Sequence, residues 1–146
     1  MKFKLVAIST IVLTLPFSIW LTKSVLSSPD IEVVSTYNLG TVSKGQIAVA
    51  NLPVQNLGNA PLKVEAVSTS CGCTTAKLSP MTIPSGGKAI LHVEYNSNAH
   101  EADRGAIERY VFISSNAPSE RDLQIKFSVF VQENAASKPS PKVASR

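Results

Sequence analysis

The chain has 146 residues, with 14 Lys and Arg against 10 Asp and Glu and a formal charge of +4. That length suits one domain. The positive surplus sits at the two ends: Lys2, Lys4 and Lys23 in residues 1–29, and Lys138, Lys142 and Arg146 in residues 134–146, neither stretch holding an acid. Asp30 to Glu133 then carries eight basic residues against ten acidic ones, a net −2. No clustered Lys and Arg face is present, so a nucleic-acid partner is not expected.

The first 29 residues read as an export segment. Lys2 and Lys4 precede an uncharged, mostly apolar run from Leu5 to Leu21. A basic start followed by an apolar stretch is the layout of a secretory signal. The run shows no polar face, which argues against a buried core helix. It predicts an N-terminal hydrophobic helix. Val25-Leu26-Ser27 offers a small-residue cleavage site before Ser28. Two fates stay open: a cleaved signal peptide, or an uncleaved anchor in the cytoplasmic membrane through residues 5–26. Either puts the rest of the chain outside the cytoplasm, because Lys2 and Lys4 would remain inside. That compartment permits a disulfide.

Residues 30–133 are expected to form the domain. Short apolar stretches are separated by turn sequences at Ser43-Lys44-Gly45, Asn56-Leu57-Gly58-Asn59, Pro84-Ser85-Gly86-Gly87, Asn96-Ser97-Asn98 and Asn116-Ala117-Pro118. In chain order, the candidate strands are Ile31 to Tyr37, Ile47 to Gln55, Leu62 to Val67, Ala89 to Tyr95, Ile107 to Ser114 and Leu123 to Val131. Pro53 marks an edge or a bulge in the second. Ala89, Leu91, Val93 and Tyr95 alternate with polar neighbours, as do Leu123, Ile125, Phe127, Val129 and Val131. That is the period of a half-buried strand. Ile107 to Ser114 is apolar at almost every position after Arg109, which suits a strand covered on both faces or at a sheet centre. No stretch of the domain shows a capped helical period. The reading is all-β: an Ig-like β-sandwich of about seven strands. Residues 134–146, rich in Ala, Ser, Pro and Lys, are expected to be a disordered tail.

The motifs resemble a known family. Tyr37-Asn38-Leu39-Gly40-Thr41-Val42 with Gly45 looks like its opening, and Asn56-Leu57-Gly58-Asn59-Ala60-Pro61-Leu62 like its first turn. Ser70-Cys71-Gly72-Cys73-Thr74 looks like its central motif. Pro84 to Gly87 with the following strand, and then Gly105 with Ile113 to Pro118, resemble its later parts. The family is bacterial domain-of-unknown-function family 1573, similar to the ASH/Hydin and major-sperm-protein group of Ig-like domains. The resemblance covers about Tyr37 to Val131. It implies an exported Ig-like sandwich and no established activity; contact with other proteins is an analogy at fold level.

Cys71-Gly72-Cys73 is the most pointed chemistry. In an extended strand both cysteines would share a face; in a turn Gly72 would let them approach. Three readings stay open: a local disulfide, two small buried hydrophobes, or a pair of thiolates for a soft metal or redox work. A metal would need more ligands, and His92 is the weak candidate to join Cys71 and Cys73. His92 falls on the polar face of its strand, and His100 in a loop with Glu101 and Asp103 reads as solvated. The cysteines cannot make the inter-sheet bridge of antibody domains, which joins distant strands.

No hydrolase elbow, zinc-protease helix or phosphate loop is present. Neither an enzyme nor a cofactor is expected. Phe130 is a large apolar residue on the polar face of the last strand, and beside Pro53 it would mark a docking surface. The functional reading is a noncatalytic binding or scaffolding module of the bacterial envelope, partnered by another envelope protein. The alternative is a thiol-dependent metal or redox protein using Cys71 and Cys73.

Overall fold

The computed structural model describes residues 26–133. The proposed N-terminal helix and the tail lie outside the described residues. Among the described residues no helix is long and apolar enough to cross a membrane.

Nine strands occur among the described residues: β1 (Ile31–Glu32), β2 (Thr36–Ser43), β3 (Ile47–Asn56), β4 (Leu62–Thr69), β5 (Thr74–Ser79), β6 (Thr82–Ile83), β7 (Lys88–Asn96), β8 (Gly105–Ser115) and β9 (Asp122–Gln132). They form two sheets. The first has the order β1-β3-β7-β5 and the second β2-β9-β8-β4-β6. Alternating side chains from each sheet point into the space between them, as in a sandwich.

The count exceeds seven for two local reasons. β1 and β6 are only two residues long. The expected first strand, Ile31 to Tyr37, also divides. β1 pairs with β3 in the first sheet, and β2 then crosses to run parallel with β9 in the second. β5 was not expected. Its core-facing positions are Thr74, Ala76 and Leu78, which leave only a faint apolar alternation. Pro53 stands where the β1 ladder, which covers only Gln55 and Asn56, has ended. There β3 is the sheet edge, and a missing N–H does no harm.

The strongest alternations bury as expected. Ala89, Leu91, Val93 and Tyr95 of β7 are buried, with Ile125, Phe127, Val129 and Val131 of β9. β3 adds Ala48, Ala50, Leu52 and Val54. Fully burying one large apolar side chain is worth about 1.5–3 kcal/mol. β8 lies between β9 and β4, so the sheet-centre reading of Ile107 to Ser114 holds. Its outer face is open, however, and Phe112 is exposed.

One polar residue organises an end of the sandwich. Asn56, at the end of β3, is completely buried. Its Oδ1 accepts hydrogen bonds from the backbone N–H groups of Asp30 (3.2 Å) and Gly58 (3.0 Å). Its Nδ2 donates to the carbonyls of Ala60 (2.8 Å) and Ile83 (3.0 Å). Its backbone pairs with Gly86 and Gly87. One side chain thus ties the approach to β1, the β3–β4 turn and β6. Gly58 is required beside it: a Cβ there would run into the backbone of Ser28, Pro29 and Asp30.

Asn56→Ala should lower unfolding free energy by about 2–4 kcal/mol, because buried backbone groups lose their partners. Gly58→Ala should cost about 1–3 kcal/mol through overpacking. Equilibrium urea unfolding reads both; Asn56→Ala at wild-type stability would contradict this account.

Candidate functional site

The Cys-Gly-Cys motif lies where the chain passes from β4 in the second sheet to β5 in the first. It is a turn: the Thr74 N–H donates to the Cys71 carbonyl at 3.3 Å. Thr69 Oγ1 lies 3.1 Å from the Cys71 carbonyl oxygen and 3.0 Å from that of Thr74. Gly72 has open space where a Cβ would stand, so the turn does not demand glycine there. Cys71 and Cys73 are joined by a disulfide, with Cα atoms 5.3 Å apart. Of the three readings open to sequence, this selects the local bridge. With both sulfurs bonded to each other, neither is the thiolate that a soft metal requires.

The two sulfurs have different surroundings. Cys73 is 2% exposed and packs with Val42, Ala48, Tyr95, Val129 and Val131. Cys71 is half-buried. Arg109, on β8, donates through Nε to Cys73 Sγ at 3.0 Å. Its Nη2 donates to both carboxylate oxygens of Asp103, at 2.9 and 2.8 Å. Its Nη1 donates to the Glu108 carbonyl at 2.8 Å. The buried Tyr95 hydroxyl donates to Asp103 Oδ2 at 2.9 Å. A chain of contacts therefore runs Tyr95, Asp103, Arg109, Cys73.

The electrostatics follow from burial and pairing. Burial first, then the hydrogen bond to Asp103 and that carboxylate's charge, push the Tyr95 hydroxyl from its ordinary value of 10.0 up to about 12. Burial alone would raise the Asp103 carboxyl. Hydrogen bonds from Tyr95 and Arg109, with the Arg109 charge, more than offset this and hold it below its usual range.

This corrects the reading of the loop at His100. Asp103 is buried and fully engaged, while His100 and Glu101 are exposed. His92, the weak metal candidate, is not part of the cluster. It lies on β7 with Nδ1 2.7 Å from Asn51 Oδ1 and Nε2 3.1 Å from Glu94 Oε1. His100 is the histidine beside the sulfurs, its ring nitrogen within 4.8 Å of both. Arg109, Asp103 and Tyr95 were missed. A signal existed for Arg109: it shares the core-facing parity of Ile107, Val111 and Ile113, and a charge brought inward needs a partner.

A second feature lies on the outer face of the first sheet. Ile47 and Val49 on β3 are 57% and 52% exposed, and Ile90 on β7 is 47% exposed. Ile90 is the register partner of the exposed Pro53. Pro53 and Val34 border a recess edged by Glu32 and Lys88. Phe130 is exposed as expected, at 50%. It belongs to the other sheet, opposite Thr41 and Ala106, and so is not beside Pro53.

Two titrations should bound stability. A raised Tyr95 value means stability fully present below pH 10 and lost as pH rises toward 12. A depressed Asp103 value means stability present above its unfolded value, 3.8, and lost as pH falls through the lower folded one. Urea midpoints across pH should fall at both ends. Tyr95→Phe should blunt the alkaline fall, and an unchanged alkaline limb would contradict the assignment.

Comparison with known proteins agrees with the fold. A protein of unknown function from Porphyromonas gingivalis W83 superposes with a TM-score of 0.66 at 22% identity, over 71% of this chain and 47% of that one. The ASH / PapD-like domain 7 of human CEP192 gives 0.55 at 14% identity, over 91% and 99%. The YadV chaperone gives 0.51 at 17%, over 70% and 52%. This chain thus spans about half the length of the Porphyromonas protein. No curated protein matches the sequence. The profile of the protein family of unknown function DUF1573 matches residues 31–131, and the chain belongs to that family.

Proposed function

We propose that the chain is an exported, noncatalytic protein-binding module of the bacterial envelope, engaging another envelope protein through the outer face of its first sheet. The observation that carries this is a set of exposed apolar residues at both ends of that face, Ile47 and Val49 at one end and Pro53 and Ile90 at the other, with the hydrogen-bonded Asn51 and His92 between them. The face is preferred to a sheet edge for two reasons. Pro53 removes a donor from the free part of β3, and Lys77 on the edge strand β5 discourages strand addition. The occupant is a protein surface of mixed character, with apolar groups to meet the two ends of the face and hydrogen-bonding groups to meet Asn51, His92 and Glu94 between them. The likeness to a PapD-like domain and to a chaperone supports a binding role as an analogy of fold. The basic, then apolar, N-terminal sequence supports placement on the outer side of the cytoplasmic membrane.

Photo-crosslinking of the full chain in cells tests this. A crosslinker at Val49 or Ile90 should capture a discrete protein adduct, and one at Lys126, on the opposite sheet, should not. Ile47→Asp with Ile90→Asp should abolish the Val49 adduct while changing stability by only about 0.5 kcal/mol, as exposed sites do. An adduct that survives the double replacement would overturn the proposal.

A further inference from the structure

We propose that the Cys71–Cys73 disulfide is a redox site, opened by an external thiol at Cys71, with Cys73 released as a thiolate held by Arg109. Three observations on the motif converge. Closing a ring across one intervening residue constrains the unfolded chain very little, so this bridge adds little stability by chain entropy. The domain has a continuous core without it. A charged donor is also aimed at one sulfur of the pair: Arg109 Nε stands 3.0 Å from Cys73 Sγ. A neutral disulfide gains little from a guanidinium, whereas a thiolate gains a charge-assisted hydrogen bond.

The asymmetry of the pair sets the direction. Cys71 is the more exposed residue, its sulfur accepting only the neutral Cys73 backbone N–H at 3.2 Å, whereas Cys73 is buried with its sulfur against the Arg109 guanidinium. Disulfide exchange depends on which sulfur can be reached and on the stability of the leaving thiolate. Both criteria select attack at Cys71. The incoming thiolate forms a bond to Cys71 Sγ, the Cys71–Cys73 bond breaks, and its electron pair stays on Cys73 Sγ beside Arg109. A second thiolate then attacks the donor's sulfur, breaks the mixed disulfide and releases Cys71, which takes a proton from solvent. The protein gains two electrons as a dithiol, and the donor leaves as a disulfide. The reductant class is a dithiol, which supplies both steps from one molecule.

Arg109 is fixed for this role before reduction. Asp103 grips it through both oxygens, and Tyr95 in turn donates to Asp103. Asp103 and Tyr95 are positioning residues. They set the guanidinium so that no rearrangement is needed when charge appears on sulfur.

The test is a redox equilibrium of the native full chain with dithiothreitol, read by alkylation and mass. Replacing Arg109 alone would orphan the Asp103 charge, so the comparison is wild type against Arg109→Met with Asp103→Asn. The proposal expects the wild-type bridge to open in the folded protein. The double replacement should shift the equilibrium about tenfold toward the disulfide, which is about 30 mV for a two-electron couple. Arg109→Lys should restore part of the shift. A second arm leaves the charges intact: with glutathione disulfide, Cys73→Ser should form an adduct on Cys71, and Cys71→Ser should not form one on Cys73. A native bridge that resists dithiothreitol, an unshifted equilibrium in the double replacement, or preferential adduct formation on Cys73 would each overturn the proposal.

Discussion

A guanidinium is carried toward the core of a sandwich whose other inward positions are mostly apolar. The ion pair between Arg109 and Asp103 answers that constraint, and one end of the molecule is arranged around it. An unpaired charge so placed would be costly, and a buried pair seldom repays its desolvation as net stability. What the pair supplies is position. It joins β8 to the loop after β7, draws in Tyr95 from the floor of the core, and holds an N–H against the sulfur at the β4–β5 corner.

The opposite end of β3 and β7 is organised by a neutral residue. Asn56 meets two donors and two acceptors with its four hydrogen-bonding positions, so the turn and the short strands around it need no charge. Between the two ends runs an apolar core from both sheets, centred on Leu91, Val93, Val111, Ile113 and Phe127. The smaller cluster around Cys73 and Tyr95 lies at the charged end. Under the proposed redox role the division has a consequence: the apolar core carries stability, and the polar end holds Arg109 against Cys73.

What was legible in the sequence follows from the strength of each local signal. β7 and β9 place four or five apolar residues on one parity, and no other period accounts for them. β5 carries one large apolar residue, so its pairing with β7 is dictated by the fold and not by its own pattern. The division of the first strand into β1 and β2 was hidden because a change of sheet is a tertiary event, and no Gly or Pro stands between Glu32 and Thr36 to mark it. The cysteine motif was visible as a site, but its state depended on a turn whose hydrogen bonds come from Thr69 and Thr74. Arg109 and Tyr95 were countable on core-facing positions, yet their common partner, Asp103, lay in a polar loop that resembled any solvated turn. The family resemblance reached the fold and stopped there, since a family of unknown function assigns no activity.

The β4–β5 corner and the proposed exchange both depend on Cys71 and Cys73 being bonded to each other. Intact mass of the full chain, purified without reductant and alkylated in denaturant, tests this directly. The expected result is a monomer with no alkyl adduct. Two adducts would mean that the pair is a dithiol, and the bridge described here would be contradicted.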